Sequence, residues 1–261
     1  HNIKRPNNVD VAYGLTAGNK KIDIAVCTER NTNSLRVFSL PDMQAIDGGG
    51  IPVFEQDSLR APMGIALYTN PEGKIYAIVS RKNGPSGAYL AQYLLSTDAN
   101  GIVKGKLVRK FGNFSGKNEI EAIAVDNELG YIYYADESVG IHKYYAHPDS
   151  TRELALFGTT GFTDNHEGIS IYKFSDGTGY ILVSDQQANQ FRVFPREGTA
   201  ANKHDHPLLT VVSVSTNESD GSEVTSTPLP GFPKGMFVAM SDNKTFQFYR
   251  WEDIAGSVLK K

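Results

Sequence analysis

Apolar and polar residues alternate along this chain in short runs, and one cassette of such runs recurs five times. Its most regular part is apolar-x-x-aromatic: Leu35 to Phe38, Leu90 to Tyr93, Ile141 to Tyr144, Phe191 to Phe194 and Phe246 to Tyr249, with the aromatics 55, 51, 50 and 55 residues apart. A polar turn precedes each copy, beginning at Thr28, Ser80, Asp136, Asp185 and Ser241, and an apolar run precedes each turn: 22–26, 75–79, 131–134, 180–183 and 236–240. Two runs of period two joined by turn residues predict a β-hairpin. In four units a further strand is predicted ahead of the hairpin, at 8–13, 63–68, 121–126 and 167–172. No stretch sustains helical periodicity, and Gly, Asn, Asp and Pro fill the gaps. The expectation is an all-β protein in a single domain, 1–261, built of antiparallel sheets. Units of roughly 50 residues with three or four strands have the size of propeller blades. A β-sandwich gives no reason to repeat one strand-turn-strand cassette five times, so a β-propeller is preferred.

The repeat gives meaning to an acid placed before a strand. In His166-Glu167-Gly168-Ile169-Ser170-Ile171-Tyr172 a carboxylate stands directly before a glycine and an alternating run, and Ile120-Glu121-Ala122-Ile123-Ala124-Val125-Asp126 resembles it one unit earlier. By offset, Asn8, Met63, Glu121 and Glu167 are equivalent, and in a propeller equivalent positions form a ring at one mouth of the channel. Neighbouring carboxylates there raise each other's pKa unless something positive lies between them. Glu121 and Glu167 could instead cap nearby backbone N–H groups. Repetition at one ring position favours oxygen ligands, which suit a hard cation such as Ca²⁺.

Composition narrows the function classes. With 261 residues, 40% of them hydrophobic, the chain can bury a large core. A net charge of −3 and the lack of a Lys/Arg cluster interleaved with aromatics speak against nucleic acid. No apolar run approaches the ~20 residues that cross a bilayer. Cys27 is the one cysteine, which excludes an intrachain disulfide and a thiolate metal cluster. The segment His204-Asp205-His206, ahead of Pro207, reads as a solvated turn rather than a metal pair. Gly48-Gly49-Gly50 lacks the strand-to-helix setting of a nucleotide fingerprint, and there is no Gly-x-Ser-x-Gly elbow.

Several short stretches, in this order and spacing, resemble the β-propeller phytases. They are Asn7-Asn8-Val9-Asp10, Asp23-Ile24-Ala25 followed by Glu29-Arg30, Ile120-Glu121-Ala122 with 126–130, Tyr134-Ala135-Asp136-Glu137, 166–172, Ser184-Asp185-Gln186, Glu218-Ser219-Asp220-Gly221 and 250–255. The resemblance implies a six-bladed β-propeller whose first or closing blade is incomplete in this chain. It implies a calcium-dependent phosphatase acting on phytate, inositol hexakisphosphate. Carried onto matching positions, it makes Glu121, Glu137, Glu167 and Gln186 calcium ligands at the catalytic mouth and Asp220 a ligand of a structural calcium. Catalysis is assigned to Glu121, Glu137 and Glu167, and substrate phosphates to Arg30 and Lys82. Phosphoryl transfer needs positioning and charge neutralisation more than covalent help, which fits this set.

Departures from the pattern are visible too. Met63 stands where the family places a phosphate-contacting tyrosine, and Asn165 where it places an aspartate. The family's N-terminal segment, with acidic ligands, a lysine pair and ring-completing strands, has no match here. The expectation is that a preceding segment of the same protein completes the ring, and that the protein works in an extracytoplasmic location: secreted, periplasmic or at the cell surface. A non-catalytic propeller that binds a ligand at its mouth is the alternative, since fold alone does not fix function.

Overall fold

A computed structural model describes residues 3–261; His1 and Asn2 lie outside the described residues. The chain folds as the all-β, propeller type of antiparallel sheets that the repeat predicts. The first sheet holds β1 (Pro6–Ala17), β2 (Lys20–Glu29), β3 (Ser34–Leu40) and β4 (Ile51–Pro52) in that spatial order. The second holds β5 (Pro62–Thr69), β6 (Ile75–Arg81), β7 (Leu90–Thr97) and β8 (Val103–Phe111). The third holds β9 (Ile123–Asp126), β10 (Tyr131–Asp136), β11 (Gly140–Tyr145) and β12 (Glu153–Phe157). The fourth holds β13 (His166–Lys173), β14 (Gly179–Asp185), β15 (Gln190–Pro195) and β16 (Thr210–Ser213). The fifth has three strands only, β17 (Ser222–Thr225), β18 (Met236–Ser241) and β19 (Thr245–Arg250), and a short helix α1 (Trp251–Ala255) follows it.

Each predicted hairpin is present, because buried central strands and polar turns leave the register no alternative. The described residues build five sheets, so the sixth blade that the resemblance implies is not seen among them. Two compact units divide the chain: residues up to Ile132 with Tyr144–Glu153, and Tyr133–Lys143 with Leu154–Lys261. In the first, Val26, Val37, Ile65, Ala77, Val79 and Tyr93 belong to one apolar core; in the second, Leu182, Phe191, Val193, Phe237 and Trp251 belong to another. No helix of the described residues is long and apolar enough to cross a membrane.

Two local departures from the predicted elements have clear causes. The periodicity predicts no helix, but β19 ends at Arg250 and Trp251 opens the short helix α1. Trp251 is fully buried, stacks on Tyr172 with ring centroids 3.6 Å apart, and donates its indole N–H to the carbonyl of Lys260 at 3.1 Å. The fifth sheet does have a first strand, β17, which pattern reading missed because Ser-Glu-Val-Thr buries only Val224.

Candidate functional site

The ring positions inferred from the repeat are set by a device that alternation alone does not reveal. The pairing of the first two strands slips at the same place in three sheets: between Pro6 and Val9, between Pro62 and Ile65, and between His166 and Ile169. The irregular residues are Asn7-Asn8, Met63-Gly64 and Glu167-Gly168. A bulge at a strand's start turns side chains away from the alternation of the pleat, and bulges of this kind recur beside active sites. Glycine is required in two of them. A Cβ on Gly168 would stand 3.0 Å from the carbonyl oxygen of Asp220 and 2.9 Å from the amide nitrogen of Ser222, and one on Gly64 would collide with the carbonyl of Glu121. The Gly168 N–H also donates to the Asp220 carbonyl at 3.0 Å. By these contacts Asp220 stands in the fifth unit where Glu121 stands in the third, an equivalence hidden in the sequence by the unrecognised β17.

In the first compact unit, Arg30 opens a one-turn 3-10 helix, Arg30–Thr32, that closes on Asn33 in the left-handed region at φ 52°. Asparagine tolerates that conformation better than most residues. The Arg30 guanidinium lies 3.8 Å from one oxygen of Glu121, whose other oxygen accepts from the Asn7 amide at 2.6 Å. Lys82 follows β6 and donates to both oxygens of Glu119 at 2.8 and 2.9 Å. The structure therefore places both expected phosphate-binding cations against carboxylates, with Arg30 paired to the expected calcium ligand itself. Met63 is 0% exposed, and its carbonyl accepts from Thr28 Oγ1 at 2.7 Å, so its side chain serves packing.

In the second unit, Gln186 begins the matching 3-10 turn, Gln186–Ala188, closed by left-handed Asn189 at φ 53°. Its side-chain amide donates to the Asp220 carboxylate. The structure thus brings Gln186 and Asp220, expected at different calcium sites, into one contact. Glu167 sits in the β13 bulge beside the backbone of Asp220, and is nearly buried, as is Glu137 at the end of β10. Ser138, next to Glu137, donates to Asp164 at 3.0 Å and to Asn165 at 3.4 Å, on the loop that leads to Glu167. Crowding by the surrounding chain pushes the Asp220 carboxyl up, the Gln186 hydrogen bond opposes this, and Glu218 adds to it. Because the Asp220 side chain is open to water, solvation offsets much of that crowding. No group of three or more His, Cys, Asp or Glu side chains is assembled tightly enough to hold a metal among the described residues. The chemistry of the donors still suits a hard divalent cation in each unit: Glu121 in the first, and Glu137, Glu167, Gln186 and Asp220 in the second, can each offer oxygen.

Sequence reasoning missed a set of buried charges directly behind these residues. Glu29 precedes Arg30, Arg81 precedes Lys82, Asp136 precedes Glu137 and Asp185 precedes Gln186; all four are almost fully buried. Three of the four meet a base on the next strand of their own hairpin: Glu29 meets Arg36 at 3.8 Å, Asp136 meets His142 at 3.6 Å, and Asp185 meets Arg192 at 3.0 Å. In the second sheet the charges are reversed, with Arg81 held 2.9 Å from Asp57. Burial raises the Glu29 carboxyl, but hydrogen bonds from Thr32, the Lys4 N–H and Ser34, with the charge of Arg36, outweigh it and hold the group below its usual range. Glu29 is therefore ionised.

In the segment from His204 to His206, Asp205 is exposed as expected of a solvated turn, but His206 is not. His206 is 3% exposed, donates from Nδ1 to the Pro195 carbonyl at 2.7 Å, and accepts at Nε2 from Lys143 at 3.0 Å. Burial first, and the Lys143 ammonium second, push its pKa down to about 4. A neutral imidazole locked between a carbonyl and an ammonium has no lone pair left for a metal.

The sequence profile of the family described as Phytase matches residues 1–258. A 3-phytase of Bacillus subtilis (strain 168) is 28% identical over 270 residues, which cover 95% of this chain and 68% of the relative. A solved nidogen/laminin complex contains a chain that aligns with a TM-score of 0.49 at 14% identity, over 90% of this chain and 86% of the other.

Proposed function

Because this chain belongs to the phytase family, we propose that it releases phosphate from phytate in a calcium-dependent reaction, with Glu121, Glu137, Glu167, Gln186 and Asp220 holding calcium and Arg30 and Lys82 holding substrate phosphates. The observation that carries this assignment is the placement of Glu167 in a bulge whose Gly168 N–H donates to the Asp220 carbonyl, and of Gln186 at a turn from which its amide donates to the Asp220 carboxylate. When bound, calcium neutralises phosphate charge and lowers the pKa of a water that attacks phosphorus in line.

The protein's own residues bind and orient the substrate. Lys82 is half exposed, so its pair with Glu119 is of the kind that contributes about 0–1 kcal/mol and is readily exchanged for a phosphate. Arg30 presents a planar fork suited to two phosphate oxygens. Where Arg30 turns to substrate, the Glu121 oxygen it faces can serve as a calcium ligand, while the Asn7 amide holds the other oxygen. A polyanionic substrate and the cation therefore reinforce each other at the Arg30–Glu121 pair.

The same proposal places the protein outside the cytoplasm and assigns the edge of β19 to a further segment of the same protein, which would add the fifth sheet's fourth strand and supply the sixth blade. Phe246 and Phe248 on β19 are 66% and 60% exposed, and the fifth sheet has three strands where the other four have four. An apolar strand edge of this kind is a template for a further strand.

Glu167→Gln tests the site. It removes one charge from the ligand set without changing size, and calcium-dependent phosphate release is expected to fall by at least about 10²-fold, with the far-ultraviolet circular dichroism unchanged. Wild-type turnover in this variant would remove Glu167 from the site.

A further inference from the structure

Behind Glu167 and Gln186 a buried relay joins the end of β14 to the start of β13. Asp185 is 0% exposed; one oxygen accepts the Thr163 N–H at 3.0 Å and the other accepts Nε and Nη2 of Arg192, both at 3.0 Å. The Arg192 guanidinium lies over the Phe162 ring, 4.8 Å from its centroid, and a Cβ on Gly161 would come within 2.9 Å of Nη1. Phe162 stacks on His166, with centroids 3.7 Å apart and planes 27° from parallel. His166 Nε2 donates to the Gly158 carbonyl at 2.8 Å. His166 is the residue before Glu167, Asp185 is the residue before Gln186, and the two are paired across β13 and β14.

The relay therefore ends on the two backbone positions that present Glu167 and Gln186. A buried ion pair is a poor source of stability, because apolar side chains of similar volume often serve as well. Its place in the hairpin also recurs: Asp185 pairs with Gln190 in register and takes its cation two residues further on, as Glu29 pairs with Ser34 and takes Arg36. In both sheets the residue after the acid is one assigned to the site.

We propose that Asp185 is a positioning residue, acting through Arg192, Phe162 and the Thr163 N–H to fix the Glu167 bulge and the Gln186 turn in the geometry that calcium requires. This rests on the assignment of Glu167 and Gln186 as calcium ligands. Carboxylates and amides that orient metal ligands from behind typically contribute a factor of about 10–100 in affinity.

The experiment is calcium binding measured at constant temperature by calorimetry, alongside the melting temperature of each calcium-free protein. Asp185→Asn keeps the shape and an acceptor for Thr163, and Phe162→Leu breaks the relay without touching a charge. Each is expected to weaken calcium binding by about 10-fold or more. Phe237→Leu, a core change on β18, is expected to lower the melting temperature and leave calcium affinity within about twofold, since filling the core does not aim a ligand. Calcium binding at wild-type affinity in both relay variants overturns the positioning role and leaves the ligand assignment standing. A wild-type protein that binds no calcium overturns the assignment and the positioning role together. If Asp185→Asn fails to fold, Phe162→Leu decides the matter.

Discussion

Arg30 and Lys82 show how much a charged residue's partner says about its availability. Arg30 is mostly covered and held near Glu121, whereas Lys82 is 49% exposed and paired with Glu119. Removing Lys82 therefore leaves stability almost untouched, because an exposed ion pair contributes little. Its phosphate contact is another matter: a hydrogen bond to a charged group contributes about 1.5–3 kcal/mol. Lys82→Ala is expected to lower kcat/KM on phytate by roughly 10- to 100-fold with the melting temperature unchanged, and steady-state kinetics beside a thermal melt will show it. An unaltered kcat/KM would take Lys82 out of the substrate contacts.

His206 makes a prediction of the opposite kind, about stability and not turnover. Its folded pKa is depressed to about 4 by burial and by Lys143, while an unfolded imidazole titrates near ~6.5. Below that unfolded value the unfolded chain takes up a proton that the folded one refuses, so stability falls with pH between about 6.5 and about 4. The full difference is of order 3 kcal/mol. Urea unfolding at pH 7 and pH 5 is expected to show a loss in the wild type that is smaller in His206→Phe; equal losses in both would assign the pH dependence elsewhere. The sequence did not disclose this residue. A His-Asp-His segment beside proline looks like a turn, and nothing local announces that Lys143, 63 residues away, supplies a buried partner.

At the scale of elements, hairpins were legible and their irregularities were not. Alternation of period two, closed by turns rich in Asn, Asp and Gly, leaves one way to pair β2 with β3 or β14 with β15. A bulge adds one residue to one strand, and Asn7-Asn8, Met63-Gly64 and Glu167-Gly168 share no composition that marks it. Gly64 and Gly168 were the only signal, and only packing explains them. The acid–base clamps escaped for a related reason. Glu29 and Arg36, or Asp185 and Arg192, are seven residues apart across a turn, a spacing that means nothing until the register is known. Glu121 meets a residue already singled out, Arg30, whose role was legible in the sequence and whose neighbour was not. Gly168 tests the bulge as an element. Gly168→Ala forces a methyl against the Asp220 carbonyl and the Ser222 amide, which are backbone and cannot swing aside. Overpacking of this kind costs typically about 1–3 kcal/mol. A lower urea midpoint together with weaker calcium binding is expected; a change in neither would mean that the bulge yields freely and does not aim Glu167.

At the scale of the whole molecule, family membership and the five sheets agree on a propeller-type phosphatase, and the residues assigned to its chemistry fall at strand starts and hairpin turns. The strands that bound the repeat carry some of the most exposed apolar side chains among the described residues. Val9, Val11 and Tyr13 on β1 are 65%, 43% and 69% exposed, and Phe246 and Phe248 on β19 are similarly open. The central claim is nevertheless chemical: that oxygen ligands placed by bulges and turns make phosphate release from phytate depend on calcium. Phosphate released from phytate by the wild-type protein, in millimolar calcium and again in excess chelator, tests it most directly. Release in calcium that disappears in chelator and returns when calcium is restored is the predicted result, and release that is equal in both would contradict it.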